Sequence, residues 1–122
     1  MKRLIYISRA TQDFTAQEIE AIGEVSANNN QRNEITGVLL FIQGIFFQIL
    51  EGGTQDIDQV YAKILQDSRH DQILCLKAEE HAHTRLFPEW SMRVINLEQG
   101  YNDVLFYPIK TLLHTLTNLL AF

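Results

Sequence analysis

The most apolar and most tightly punctuated run in the chain is Ile35 to Gly53, ITGVLLFIQGIFFQILEGG. It reads as two strands joined by a tight turn at Gln43-Gly44. Each is apolar on both sides, as a central strand covered on both faces should be. Upstream, KRLIYISR (2–9) alternates as a strand, with Leu4, Tyr6 and Ser8 on one face and Ile5 and Ile7 on the other. Between these runs Thr15-Ala-Gln-Glu18 is a capping box. It opens a helix to about Asn30, with Ile19 and Ile22 on its buried stripe. Gly52-Gly53 ends the hairpin and Thr54 is the expected cap of a second helix. Ile57, Val60, Tyr61, Ile64 and Leu65 recur there at helical spacing as far as about Asp67. A short charged loop, Asp67 to Asp71, precedes the strand ILCLKAEE. WSMRVINL (90–97) reads as a further strand, with Trp90, Met92 and Val94 expected on one face. After a loop at 98–103, Pro108 fits the first turn of a last helix. Its seam is Ile109, Leu112, Leu113, Leu116, Leu119 and Leu120.

The order is therefore β-α-β-β-α-β followed by a strand and a helix. This is an α+β, ferredoxin-like pattern with a fifth strand and a C-terminal helix. Residues 1–97 are expected to form the core. Residues 98–122 are expected to add a loop and an amphipathic helix that packs on the sheet or joins a second copy in a homodimer.

Composition changes this picture little. The 122 residues, 46% hydrophobic and 20% charged, fit one domain with one core. A net charge of −5 provides no electrostatic footprint for nucleic acid or an anionic membrane. The single Cys75 excludes an intramolecular disulfide, suits a reducing cytoplasm, and reads as an inert core residue of its strand. The apolar start LIYI is too short for a signal peptide, and no run is long enough to span a bilayer. His81 and His83 share a face if extended, but no third ligand accompanies them and no metal site is expected.

Three polar side chains break the apolar pattern. Alternation puts Gln48 on the same face as Phe46 and Leu50, where an amide without a partner costs on the order of 1–3 kcal/mol. Pairing with backbone or with a buried water would satisfy it. Ser26 and Asn30 fall within about 20° of Ile19 on the first helix, so its stripe turns polar at the C-terminal end. Asn28-Asn29-Asn30 also reads as a helix C-cap. On this fold the first and third strands are neighbours, so Tyr6, Gln48 and Asn30 converge beneath the helices. Their donors and acceptors suit a planar ligand with alternating carbonyl and N–H groups, such as a flavin ring.

At these residues the sequence resembles the BLUF family, blue-light sensors that use flavin. The resemblance rests on Tyr6 and Ser8, Asn30, ITG at 35–37, FFQILEG at 46–52, DSRH at 67–70 and FPEWSM at 87–92. Over its full length the pattern is most similar to the BLUF domains of photoactivated adenylyl cyclases, although 122 residues leave no room for a cyclase, so no enzymatic output is expected. The resemblance implies a non-covalently bound flavin, FAD above FMN or riboflavin. Gln48 would contact its N5 and C4 carbonyl, and Asn30 its N3/C4 edge. Tyr6 would hydrogen-bond Gln48 and donate an electron. Arg69 and His70, with Asp67, would lie near the C2 edge and tail. Ser26, Trp90 and Met92 would tune or relay the change, and Asn29 is a further cofactor-binding candidate. Light would leave Gln48 tautomerised or rotated, shift the absorption to the red, and signal through the last strand and C-terminal helix.

Other classes fit less. FIQGIFF echoes the acylphosphatase signature, but Gln48 stands where that hydrolase needs an arginine. A non-photoactive dimerisation module would explain the last helix but not Tyr6, Asn30 and Gln48 together. A cysteinyl-adduct sensor is disfavoured by the mid-strand position of Cys75.

Overall fold

The computed structural model describes residues 1–97. They form β1 (Lys2–Ala10), α1 (Ala16–Arg32), β2 (Thr36–Ile42), β3 (Ile45–Gly52), α2 (Thr54–Gln66), β4 (His70–Glu79) and β5 (Arg93–Asn96). The sheet order is β4-β1-β3-β2-β5, antiparallel except for the parallel β2–β5 pair. This is the ferredoxin-like α+β arrangement with a fifth strand. The expected C-terminal loop and helix lie outside the described residues.

Alternation divides the core between the two sheet faces. Leu4, Tyr6, Leu39, Phe41, Phe46 and Leu50 pack with Ile19 of α1 and Ile57 of α2. On the opposite face Ile5, Val38, Leu40, Ile49 and Ile95 form a second cluster, joined by Phe47, Leu76, Phe87 and Trp90. The hairpin turn is as expected: Gln43 and Gly44 both have positive φ, 50° and 73°, the requirement of a tight I′ turn.

The helix ends refine the sequence reading. The capping box is present, with Glu18 N–H donating to Thr15 Oγ1 (3.1 Å) and Thr15 N–H to Glu18 Oε1 (3.0 Å). At the other end α1 continues past Asn30 to Arg32, and its C-cap is Asn33. Glu34 takes the left-handed conformation (φ 54°). Ile35 N–H then returns to Asn30 O (2.9 Å) and Glu34 N–H to Gln31 O (3.5 Å). These two bonds are the Schellman pattern. Asn30 therefore stays helical and buried instead of capping. Gly53, not Thr54, is the N-cap of α2.

Three expectations fail at the sheet edges. Cys75 is exposed, because among the described residues β4 is an edge strand that pairs with β1 alone, and its apolar run is not wholly covered. His70 belongs to β4 and not to the preceding loop. The last strand begins only at Arg93, because Trp90 N–H turns back to Phe87 O (3.3 Å) after Pro88. Strict alternation does not apply before Arg93, so Trp90 and Met92 fall on opposite faces of the sheet.

Candidate functional site

The β1–β3 register sets Tyr6 directly opposite Gln48, on the helix face. The two side chains are 3% and 6% exposed, and the Tyr6 hydroxyl donates to Gln48 Oε1. Gln48 Nε2 donates to Met92 Sδ at 3.5 Å. The buried amide is thus held between a phenol and a soft, weakly accepting thioether. Burial pushes the Tyr6 hydroxyl well above its ordinary pKa, and the neighbouring Tyr61 and Asp67 push in the same direction. It therefore remains a proton donor across the physiological range.

Above this pair a cleft opens between α1 and α2. Its inner lobe, about 440 Å³ of space not filled by atoms, is lined by Tyr6, Leu39, Phe46 and Gln48 from the sheet, Ile22 and Ser26 from α1, Ile64 from α2, and Asp67, Arg69 and His70. An outer lobe of about 1160 Å³, partly open to solvent, shares Gln48, Ser26, Asp67 and Arg69 and adds Asn29, Asn30, Arg32, Asn33 and Lys63. Apolar walls with a few convergent polar groups, as in the inner lobe, are the usual make-up of a small-molecule site.

The polar residues of the cleft are not equally available. Asn30 is 3% exposed and donates Nδ2 to Ser91 O (2.9 Å), which ties α1 to the approach to β5. An amide keeps a second N–H and a carbonyl oxygen for another partner. Both ring nitrogens of His70 are engaged by the protein. Nε2 lies 2.6 Å from Ile64 O, which can only accept, so Nε2 carries the proton. In the neutral ring Nδ1 then accepts from Ser8 Oγ, also at 2.6 Å. His70 thus offers the cleft its ring and no spare hydrogen bond. Asp67 and Arg69 pair with each other through both carboxylate oxygens. The Arg69 hydrogen bond holds the Asp67 carboxyl below its ordinary pKa.

Of the residues expected at the site, Tyr6, Ser26, Asn29, Asn30, Gln48, Asp67, Arg69 and His70 line the cleft. Met92 lies behind Gln48. Trp90 does not share the cleft. It stacks on Phe87 (5.4 Å between ring centres, 15° between planes) across the sheet, with Arg93 over its ring. Arg32 and Lys63 at the outer lobe were missed. Each lies in the last turn of its helix, where basic residues are common for dipole reasons alone, and only the facing of the two helix ends would have given them away. Among the described residues no group of three His, Cys, Asp or Glu side chains could hold a metal ion, and no helix is long and apolar enough to cross a membrane.

Comparison with known proteins fits this geometry. In sequence the chain is 30% identical over 116 residues to the photoactivated adenylate cyclase subunit alpha of Euglena gracilis, covering 93% of this chain and 11% of that protein. It is 34% identical over 100 residues to the blue light- and temperature-regulated antirepressor BluF of Escherichia coli (strain K12), covering 82% of this chain and 25% of that protein. It therefore spans only a small part of these curated relatives. Among solved structures, a bacterial light-regulated adenylyl cyclase superposes with a TM-score of 0.79 at 52% identity, over 97% of this chain and 34% of that one. The dark-state structure of BlrB, a BLUF protein, gives 0.73 at 35% identity over 78% and 71%. The family model for BLUF, sensors of blue light using FAD, matches residues 1–93. With the Tyr6–Gln48 pair at the base of an interhelical cleft, the chain belongs to the BLUF family of blue-light flavin sensors.

Proposed function

We propose that this chain is a photoreceptor unit that binds its flavin between α1 and α2 and switches by rearranging the Gln48 amide. The observation that carries the reading is the continuous hydrogen-bonded line from the Tyr6 hydroxyl through Gln48 to Met92. The donor set fits the group: Gln48 and Asn30 present amides to one carbonyl and N–H edge, and Ile22, Ile64, Leu39 and Phe46 suit its ring faces. A bound flavin supplies blue-light absorption and an oxidising excited state. Tyr6 would give up an electron to that excited state together with its hydroxyl proton, and Gln48 Oε1 stands in line to accept the proton. Both return to Tyr6 on recombination. Gln48 is left tautomerised or rotated, and its new donor pattern shifts the absorption to the red. The change also alters what Gln48 offers Met92, and through it β5 and the segment beyond.

Ser26 and Asn29 serve as further ring and side-chain contacts in this reading. Arg32 and Lys63 at the outer lobe favour a phosphate-bearing tail, so FAD or FMN would bind more tightly than riboflavin. Residues 1–97 act as the sensor core and 98–122 as the connection to a second copy in a homodimer. The unit itself performs no enzymatic step and passes its state, in the cytoplasm, to another protein or further domain. The deciding experiment is an absorption spectrum before and after blue light on flavin-loaded protein. A reversible red shift without bleaching is expected, lost in Gln48→Leu and Tyr6→Phe. A flavin spectrum that stays in place under light would overturn the reading.

A further inference from the structure

Glu51 lies three positions after Gln48 on β3 but on the opposite sheet face, away from the cleft. It is 0% exposed, one of the largest side chains wholly withdrawn from water. An acidic side chain is rarely so placed unless its oxygens are fully used. They are. Arg3 Nε donates to Oε2 at 2.9 Å. Leu86 N–H reaches both oxygens (3.0 and 2.9 Å), and Phe87 N–H donates to Oε1 at 2.8 Å. Two of the three donors are thus backbone amides of the β4–β5 connection: Oε1 accepts from both, and Oε2 is shared between Leu86 N–H and Arg3, so every donor here faces an oxygen only because the group is a carboxylate.

That pinned turn leads directly to the switch. Phe87 O receives Trp90 N–H, Trp90 O receives Gly37 N–H at 2.8 Å, Ser91 O receives Asn30 Nδ2, and Met92 Sδ receives Gln48 Nε2. The path leaves Gln48 along β3, crosses the sheet at Glu51, and returns to Gln48 through Met92. We infer that Glu51 is a positioning residue for the light switch: by fixing the amides of Leu86 and Phe87, its carboxylate sets where Ser91 and Met92 stand against Asn30 and Gln48, and so how fast the rearranged Gln48 returns to its dark state. The inference rests on the photosensor reading above.

Glu51→Gln is isosteric, but in either orientation its NH₂ group faces Leu86 N–H, which loosens the turn. Met92 then constrains the Gln48 amide less. The variant should still bind flavin and show the full red shift, and it should recover in the dark about tenfold faster, as for loss of one charge-assisted hydrogen bond. Glu79→Gln is the control. Glu79 touches Arg3 in the same cluster but no amide of the turn, and its variant should recover at the wild-type rate. Recovery of Glu51→Gln at the wild-type rate with the shift intact overturns the inference alone. A wild type that binds flavin without shifting overturns the photosensor reading and this inference with it. If Glu51→Gln does not fold, amide hydrogen exchange in the wild type decides. Faster exchange at Leu86 and Phe87 under illumination supports the role, and equal rates in light and dark overturn it.

Discussion

Tyr6 and Gln48 meet because β1 and β3 are adjacent and in register, and the one hydrogen bond between them serves the fold as well as the proposed switch. Removing the phenol hydroxyl leaves Gln48 Oε1 buried without its donor, so Tyr6→Phe should cost about 1–3 kcal/mol of stability near neutral pH. The sign of the pH dependence follows from burial, which raises the Tyr6 pKa above that of a free tyrosine. The unfolded chain then loses this proton first, near pH 10. It binds fewer protons than the folded state above that point, so stability falls as pH rises. The advantage of wild type over Tyr6→Phe should therefore be fully present below about pH 10 and shrink above it. Urea unfolding of both proteins at pH 8 and again above pH 10 measures the gap. A gap that does not change with pH would mean that the hydroxyl ionises as freely in the folded protein as in the unfolded chain.

At the level of elements, the way α1 ends decides where Asn30 sits. The Schellman bonds hold Asn30 O, and the turn that makes them needs a left-handed residue, here Glu34. A side chain bearing Cβ is strained there by roughly 1–2 kcal/mol. Arg85 Nη2, 2.6 Å from Glu34 O, braces the turn through backbone alone. Glu34→Gly should then keep every bond and stabilise the protein by about 1 kcal/mol, read as a higher unfolding midpoint. Gly23 is the opposite case. A Cβ there would collide with Val94 Cγ2, so Gly23→Ala should lose about 1–3 kcal/mol by overpacking α1 on β5. Adding Val94→Ala should recover much of that loss, as a double-mutant cycle would report.

These elements also show what the sequence can disclose. Helical period and strand alternation put Tyr6, Gln48 and Asn30 around one space because each lies inside a regular element, where position fixes direction. Trp90 and Met92 were misjudged as sharing a face because Pro88 and the Phe87–Trp90 turn delay the strand to Arg93. Cys75 was misplaced because an apolar run does not reveal that its strand is an edge. The engagement of His70 with Ser8, and of Glu51 with the turn, joins residues far apart in the chain. No local pattern encodes such pairs.

For the molecule as a whole, the central problem is the link between β4 and β5, which sit at opposite edges of the sheet. The connecting segment must cross the ends of the intervening strands, and it is bonded to each in passing. Ala82 N–H donates to Met1 O (2.8 Å) at β1. Arg3 reaches Thr84 O, Glu51 and Glu79. Arg85 donates to Glu51 O (3.0 Å) on β3 and Thr36 Oγ1 (2.8 Å) on β2. Arg3 is the hub of this seam, with its side chain 7% exposed beside a fully buried Glu51. Breaking such a pair leaves an uncompensated buried charge, so Arg3→Ala should cost about 3–5 kcal/mol. Arg9 makes an equally well-formed pair with Asp71, but both side chains stand in water, 54% and 43% exposed. Solvent and salt screen that pair, so Arg9→Ala should barely move the unfolding curve. Denaturant melts of the two variants in low and high salt separate the cases. The Arg3 loss should persist at high salt, because the seam is shielded from ions. If both variants lost similar stability, the crossing segment would owe its place to apolar packing around Phe87 and Trp90 and not to the buried charges.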